Sequence, residues 1–155
     1  ERLPFKVAHI TQATRYAQGF KHTVIDTEAR PGSEDFAALL EAGDFLVIPA
    51  PPGTLDTHAL ILTLEEIKAQ QGEHGRGRFA VLVVKVPTRS RAGEELRDEL
   101  KAAGVPILKT MVPELRAFEK AVAQGVAVHD VKDPYAASAW DAYAAAGKEI
   151  ERMAR

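Results

Sequence analysis

The sequence contains no cysteine. Disulfides and thiolate metal sites are therefore excluded, and a reducing cytoplasm is the expected location. No apolar run approaches the roughly 20 residues that a membrane-spanning helix needs, so no membrane partner is expected. Neither positively nor negatively charged residues are in large excess. A formal net charge of −2 gives no global attraction to nucleic acid, although it is compatible with a local basic patch.

A glycine-rich phosphate-binding loop is also missing. Such a loop needs glycines whose amides face the phosphates, followed by a lysine and a hydroxyl at fixed offsets. GEHGRGRF (72–79) has glycines but no Gly-Lys-Ser/Thr, and AAAGKEIE (144–151) continues into glutamate within a helical pattern. The 5 histidines show no ligand spacing, and no serine lies in a nucleophile-elbow pattern. The sequence therefore shows no phosphate cradle, zinc site or serine-hydrolase site.

Short apolar runs rich in valine and isoleucine are present instead. Bounded by glycine, proline or charge, they predict five buried strands: FKVAHI (5–10), HTVIDT (22–27), DFLVIPA (44–50), RFAVLVVKV (78–86) and VPILKT (105–110). The 155 residues, with 46% apolar side chains, suit a single domain covering residues 1–155.

Helical patterns separate these runs. They cover residues 33–43, 55–72, 90–104, 113–125 and 133–154, and the first four end at glycine. Ser33 and Asp133 are the predicted N-caps, and Pro113 is a predicted first helical residue. Strand and helix alternation with continuous apolar strands predicts an α/β fold: a doubly wound, mostly parallel sheet in a three-layer α-β-α arrangement. Ligands of such folds sit at the carboxyl ends of the strands.

Asp26 and Thr27 end the second predicted strand. A hard cation such as Mg²⁺ prefers oxygen ligands, often reached through water, and one carboxylate beside the phosphates suffices. Alternatively, Asp26 caps the following turn through its own backbone, and the spacing alone favours that interpretation. PAPPGTLD (49–56) follows the next strand. It predicts either a rigid loop at the same edge or a stiff connection with Thr54 or Asp56 as an N-cap.

Basic residues follow the later strands. Lys85 lies within an apolar run, where its ammonium must reach solvent or a partner. Arg89 and Arg91 open a helix, where they could bind phosphate or simply be solvated beside acidic neighbours. Arg116 and Lys120 share one face of the next helix, which is ordinary for a surface helix.

Taken in order, these segments resemble the ParA-type ATPases of the ParA/MinD group, the deviant Walker A branch of P-loop proteins. The similarity is carried by LPFKV, FKHTVIDTEARPG, AGDFLVIPAPPGTLD, RFAVLVVKVPTRSRAGEELRDELKAAGVPILKT, RAFEKAVAQGVAVHDVKDP and the alanine-rich last helix. It is especially close to short ParA-like proteins without an added N-terminal DNA-binding domain. The resemblance implies that about fifty further residues, bearing the P-loop lysines, a magnesium-binding threonine and a catalytic aspartate, precede this sequence.

The resemblance also assigns roles to residues. Asp26 matches the Walker B aspartate, which would hold Mg²⁺ through water with Thr27 beside it. Lys85 stands where family members often have an asparagine that contacts the base of ATP. The segment Val112-Pro113-Glu114 matches a loop that lies against the purine.

A DNA-binding role is implied for a second set of residues. Arg89 or Arg91, and Arg116, align with basic residues that the family uses for nonspecific DNA binding by its ATP-bound homodimer, and Lys120 is a further candidate because it shares a helix face with Arg116. That use needs charge but no base readout. The implied function is partitioning or positioning of plasmid or chromosomal DNA, or of another cargo, by an ATPase that a ParB-like partner stimulates.

A non-enzymatic alternative is kept open. The missing loop and Lys85 in place of asparagine favour a degenerate, P-loop-free relative that acts as a binding module. Against it, the family topology places the P-loop strand in the middle of the sheet. Without that strand, apolar strands would be left with unpaired edges.

Overall fold

The computed structural model describes residues 5–27, 32–74 and 78–155. Its strands are β1 (Leu46–Ala50), β2 (Phe79–Val86) and β3 (Ile107–Pro113). Its α-helices are α1 (Ala13–Ala17), α2 (Ser33–Ala42), α3 (Thr54–His74), α4 (Ala92–Ala102), α5 (Arg116–Gln124) and α6 (Ala136–Met153). Short 3₁₀ helices occupy Ile10–Gln12 and Val128–Asp130.

The strands form one parallel sheet in the order β1-β2-β3, so β2 is central. Successive side chains of a strand point to opposite faces. Val81 and Val83 are buried on one face, here the near face, and Ala80 and Leu82 are buried on the other, the far face. The continuous apolar run thus forms a strand covered on both sides, as its pattern predicts.

Helices cover both faces. Helices α2, α3 and α4 supply the apolar side chains that pack on the near face, namely Phe36, Leu40, Leu60, Leu64, Ile67, Leu96 and Leu100. Helix α6 packs on the far face, where Ala146 and Ile150 meet Leu108 and Val112 of β3. The predicted three-layer α-β-α architecture with a parallel sheet is confirmed.

Three of the four predicted glycine ends are confirmed, and the end at Gly72 is wrong because α3 continues through it to His74. Gly43 is the C-cap of α2, and Gly125 caps α5 in the left-handed conformation at φ 61°. Three predicted starts are wrong. Helix α6 begins at Ala136 with Tyr135 as its N-cap, so Asp133 lies outside that helix. Helix α2 begins at Ser33 with Gly32 as its N-cap, and Pro113 is the last residue of β3 rather than the first of a helix. Pro113 belongs to β3 and pairs with Val86 after a shift in the register of the two strands.

Two predicted strands do not form. Residues 5–9 are irregular and exposed, and residues 22–27 are irregular and exposed as well. Val24 is 92% exposed, so the apolar run there has no buried face. A strand needs neighbours for its backbone groups, and in the described parts of the chain the sheet consists of β1, β2 and β3. The two β-branched runs therefore stay outside it.

No described helix is both long and apolar enough to cross a bilayer.

Candidate functional site: the carboxyl edge of the sheet

The three parallel strands end at one edge, after Ala50, Val86 and Pro113. The backbone N–H of Glu114 donates to the carbonyl of Val86 at 2.8 Å, which holds the exits of β2 and β3 together. Residues 51–53, 87–91 and 114–115 connect these ends to the following helices, so they share this edge. We call the three connecting segments the carboxyl edge.

Lys85 lies in a β-bulge at this edge. Val83 of β2 pairs with Met111 of β3, and Val86 pairs with Pro113. Between these two pairs β2 therefore has one residue more than β3. Lys85 takes up the extra residue at φ 52° and is exposed. Asparagine and glycine tolerate this left-handed conformation better than lysine does. The bulge therefore gives a backbone reason for the asparagine that the resemblance associates with this position.

The start of α4 packs tightly behind the bulge. A Cβ placed on Gly93 would lie 2.6 Å from Val86 Cγ1, so the helix approaches the strand closely because Gly93 has no side chain. The hydroxyl of Ser90 accepts the N–H of Ala92 at 3.1 Å. This turn fixes where α4 starts relative to β2.

Arg89 and Arg91 are both exposed in that turn. Arg91 Nε lies 3.5 Å from Glu94 Oε2, and the Arg91 side chain is 82% exposed. This ion pair agrees with one of the two interpretations of Arg91 from the sequence, that of a solvated side chain beside acidic neighbours. An exposed pair of this kind contributes at most about 1 kcal/mol, so Arg91 stays available to an anion.

Val112 and Pro113 are the last residues of β3 rather than part of a loop of the kind that the resemblance implies. Val112 is 3% exposed and packs in the far-face core. Pro113 is half-buried and Glu114 is exposed. A base lying along residues 112–114 would therefore contact Pro113 and Glu114. The Val112 side chain packs in the core beneath β3.

The basic face of α5 is partly neutralised. Lys120 Nζ donates to Asp133 Oδ2 at 2.7 Å, whereas Arg116 is exposed. The hydrogen bond from Lys120, and then that from the N–H of Tyr135, lower the pKa of Asp133. Asp133 thus binds the residues that start α6 and holds Lys120 at the same time.

Asp26 and Thr27 are not brought to the carboxyl edge by the sheet. Both are exposed in the irregular stretch 22–27, so the expectation of a buried strand ending at Asp26 is wrong. This stretch is held near the end of α6, where Glu151 Oε1 accepts from His22 Nε2 at 2.9 Å. The carboxylate and hydroxyl oxygens fit a hard cation such as Mg²⁺. The described residues contain no group of three or more potential metal ligands.

A groove of about 570 Å³ opens beside the carboxyl edge, and the sequence reasoning missed it. It runs between the start of α3 and the start of α4, and its lining residues are Pro52, Gly53, Thr57, His58, Ile61, Ala92, Glu95, Leu96 and Glu99. A sequence signal was present in the acids at 95 and 99, which lie one helical turn apart. A smaller cavity of about 150 Å³ lies between β1 and α3.

Comparison with known proteins identifies two relatives of this chain. It is 29% identical over 145 residues to the maintenance of carboxysome distribution protein A of Gloeobacter kilaueensis, a match that covers 92% of this chain and 65% of that protein. The protein of the same name from Halothiobacillus neapolitanus is 29% identical over 85 residues, covering 55% of this chain and 39% of that protein. The chain thus spans less than two thirds of the length of either relative. No protein-family model matches the sequence.

Proposed function

We propose that the complete protein is an ATP-hydrolysing positioning protein of the ParA type. The observation that carries this proposal is the match over 92% of the chain to a protein named for maintaining carboxysome distribution. A name of that kind agrees with the cargo-positioning role that the ParA resemblance implies. The parallel sheet with helices on both faces agrees with it as well.

The carboxyl edge is the proposed nucleotide side of the molecule. In doubly wound sheets, ligands bind beyond the carboxyl ends of the strands. Lys85, Pro113 and Glu114 would frame the base there. Asp26 would hold Mg²⁺ through water with Thr27 beside it, and this ion would neutralise charge that develops on the phosphates. In this proposal Asp26 would have to move from the irregular stretch 22–27 to the carboxyl edge.

The cargo is the second part of the proposal. We expect a ParA-like homodimer that forms on ATP, responds to a ParB-like partner in the cytoplasm, and positions either DNA or a large protein assembly. Arg89, Arg91 and Arg116 are exposed and could contact DNA phosphates without reading bases. The names of the relatives favour a protein assembly as cargo.

Binding of ATP by the full-length protein tests the enzyme proposal. Isothermal titration with and without Mg²⁺ should show magnesium-dependent binding, and Asp26→Ala should weaken it at least about tenfold, the loss of one charge-assisted contact. Asp44→Ala is the matched control because Asp44 is another exposed aspartate, placed before β1 at the opposite edge of the sheet. The control should bind as the unmodified protein does.

Two results would contradict the proposal. An Asp26→Ala variant with unchanged magnesium dependence would remove Asp26 from the metal site. A full-length protein that binds no ATP would leave the non-catalytic binding module as the better description.

A further inference from the structure

Two charged side chains at the carboxyl edge have no partner. Lys85 lies in the bulge of β2, Glu114 directly follows β3, and both are exposed. The backbone N–H of Glu114 donates to the carbonyl of Val86 at 2.8 Å, so the two residues lie on neighbouring strand ends. Within the described residues, neither side chain has an ion-pair or hydrogen-bond partner. A free donor and a free acceptor are therefore presented side by side.

The fold does not require lysine at position 85. A lysine at φ 52° is strained, because its Cβ crowds the backbone in the left-handed conformation. Its ammonium makes no contact that offsets this cost. Strained residues of this kind cluster at ligand sites, and a bulge changes the direction of the side chain that it carries. The strain at Lys85 thus points to a ligand that its ammonium binds.

Lysine and asparagine recognise different purine bases. The amide of an asparagine both donates and accepts, and it pairs with N7 and N6 of adenine. The ammonium of a lysine only donates, and it pairs with N7 and O6 of guanine. The resemblance associates an asparagine with position 85, where this chain has lysine. The change therefore replaces a side chain suited to adenine by one suited to guanine.

Glu114 supplies the matching acceptor. An ionised carboxylate accepts hydrogen bonds and donates none. One side of guanine presents two acceptors, N7 and O6, followed by two donors, N1–H and the N2 amino group. A lysine beside a glutamate matches this order with both of its charged groups. Adenine presents N7, the N6 amino group and N1, which alternate between acceptor and donor, so it makes fewer contacts with the same pair.

We propose that the nucleotide side of this protein accepts guanine as well as adenine, and that GTP binds at least as tightly as ATP. Lys85 and Glu114 determine this specificity: Lys85 donates to N7 and O6, and Glu114 accepts from N1–H and the N2 amino group. Pro113, which is half-buried, offers an apolar surface to the plane of either base. This specificity rests on the proposed function, in which the base lies at the carboxyl edge.

Isothermal titration of the full-length protein with the β,γ-imido analogues of GTP and ATP tests this specificity without hydrolysis. We expect the guanine analogue to bind as tightly as the adenine analogue or more tightly. A site that reads adenine through one bidentate contact would instead disfavour guanine by about five- to 150-fold. The corresponding inosine analogue lacks the N2 amino group. It should bind several-fold more weakly than the guanine analogue, because Glu114 then loses one of its two donors.

Matched variants assign the two residues. Lys85→Asn should weaken the guanine analogue at least about fivefold relative to the adenine analogue. Lys109→Asn makes the same change at an exposed lysine earlier in β3, and should leave the ratio of the two affinities unchanged. Glu114→Ala should remove the difference between the guanine and inosine analogues. Glu119→Ala, at an exposed glutamate of α5, should preserve that difference.

The outcomes separate this specificity from the proposed function. A guanine analogue that binds more than about threefold more weakly than the adenine analogue would overturn the guanine specificity and leave the ATPase proposal standing. Binding of neither analogue would contradict the proposed function, and the guanine specificity with it. Similar binding of both analogues, with ratios unchanged in Lys85→Asn and Glu114→Ala, would show that other residues read the base and would overturn the assignment.

Discussion

The carboxylate of Glu149 accepts both the backbone N–H and the hydroxyl of Thr110, at 3.0 and 2.8 Å. Its other oxygen accepts the N–H of Lys109 at 2.7 Å. Consecutive N–H groups of a regular strand point in opposite directions, so one carboxylate reaches both where the β2–β3 register is irregular. A side chain of α6 thereby satisfies two consecutive backbone donors of β3.

Glu149→Ala should therefore lower the free energy of unfolding by about 2 kcal/mol, since two backbone donors lose a charged acceptor. Urea denaturation measures this change. Glu151→Ala is the control on the same helix. Its partners Lys21 and His22 are exposed, so the loss there should stay below about 1 kcal/mol. Equal losses in the two variants would contradict the role given to Glu149.

The free energy of unfolding should depend on pH through the carboxyl group of Glu149. Partial burial raises the pKa of Glu149, but the hydrogen bonds from Lys109 and Thr110 and the nearby charge of Arg152 outweigh it and leave the pKa below 4.5. A carboxyl whose pKa is lower in the folded state contributes stability above its unfolded pKa, and this is lost as pH falls through the folded value. Unfolding free energies measured from pH 7 to pH 3 should fall, and less steeply in Glu149→Gln. Equal slopes would show that Glu149 is not linked to folding.

Gly93→Ala should destabilise the protein by about 1–3 kcal/mol because the new methyl group would overlap Val86. Gly147→Ala is the matched control in α6. A Cβ there meets nothing within 4 Å, so the substitution should stabilise the helix by about 0.5–1 kcal/mol. Thermal unfolding should show a lower Tm for Gly93→Ala and a higher Tm for Gly147→Ala than for the unmodified protein. Adding Val86→Ala to Gly93→Ala should recover part of the loss, and no recovery would place the strain elsewhere.

Lys85→Asn should stabilise the fold by about 0.5 kcal/mol, because asparagine adopts the left-handed conformation more readily than lysine. Lys109→Asn, in the neighbouring strand at negative φ, should not stabilise and serves as the control. Chemical denaturation of both variants gives the comparison. A loss of stability in Lys85→Asn would mean that the lysine has a compensating contact.

Arg116 and Lys120 should differ in nonspecific DNA binding, although they share a helix face. Arg116→Ala should weaken binding to a random duplex and reduce the salt slope by about 1. Lys120→Ala should have little effect on the slope because Asp133 already holds the ammonium. Titrations at several salt concentrations measure both, and equal slopes for the two variants would contradict the distinction.

The sequence predicts those parts of the fold that local chemistry determines. Gly43 and Gly125 mark helix ends because the chain leaves the helical conformation there, and the apolar run of β2 predicts a strand covered on both sides. The prediction fails where structure depends on neighbours. Val24 and Ile25 have the composition of a strand, yet no described strand pairs with them. Tertiary context overrides their propensity.

In the candidate site, too, some features follow from the local sequence and others depend on how separate elements pack. Exposure of Arg89 follows from its polar neighbours in the sequence, Thr88 and Ser90. The bulge at Lys85 does not, because it arises from a register mismatch between β2 and β3 that neither strand encodes alone. The groove between α3 and α4 likewise depends on how two separate helices pack on the near face.

The position of α6 also bears on how the protein is made. Helix α6 covers the far face of β2 and β3 but follows both strands in the chain. Folding on the ribosome proceeds from the N-terminal end, so the two strands emerge while Leu82 and Leu108 still lack their cover. An apolar sheet face open for that interval is a binding surface for a chaperone. Synthesis that pauses before α6 should therefore favour aggregation over completion of the domain.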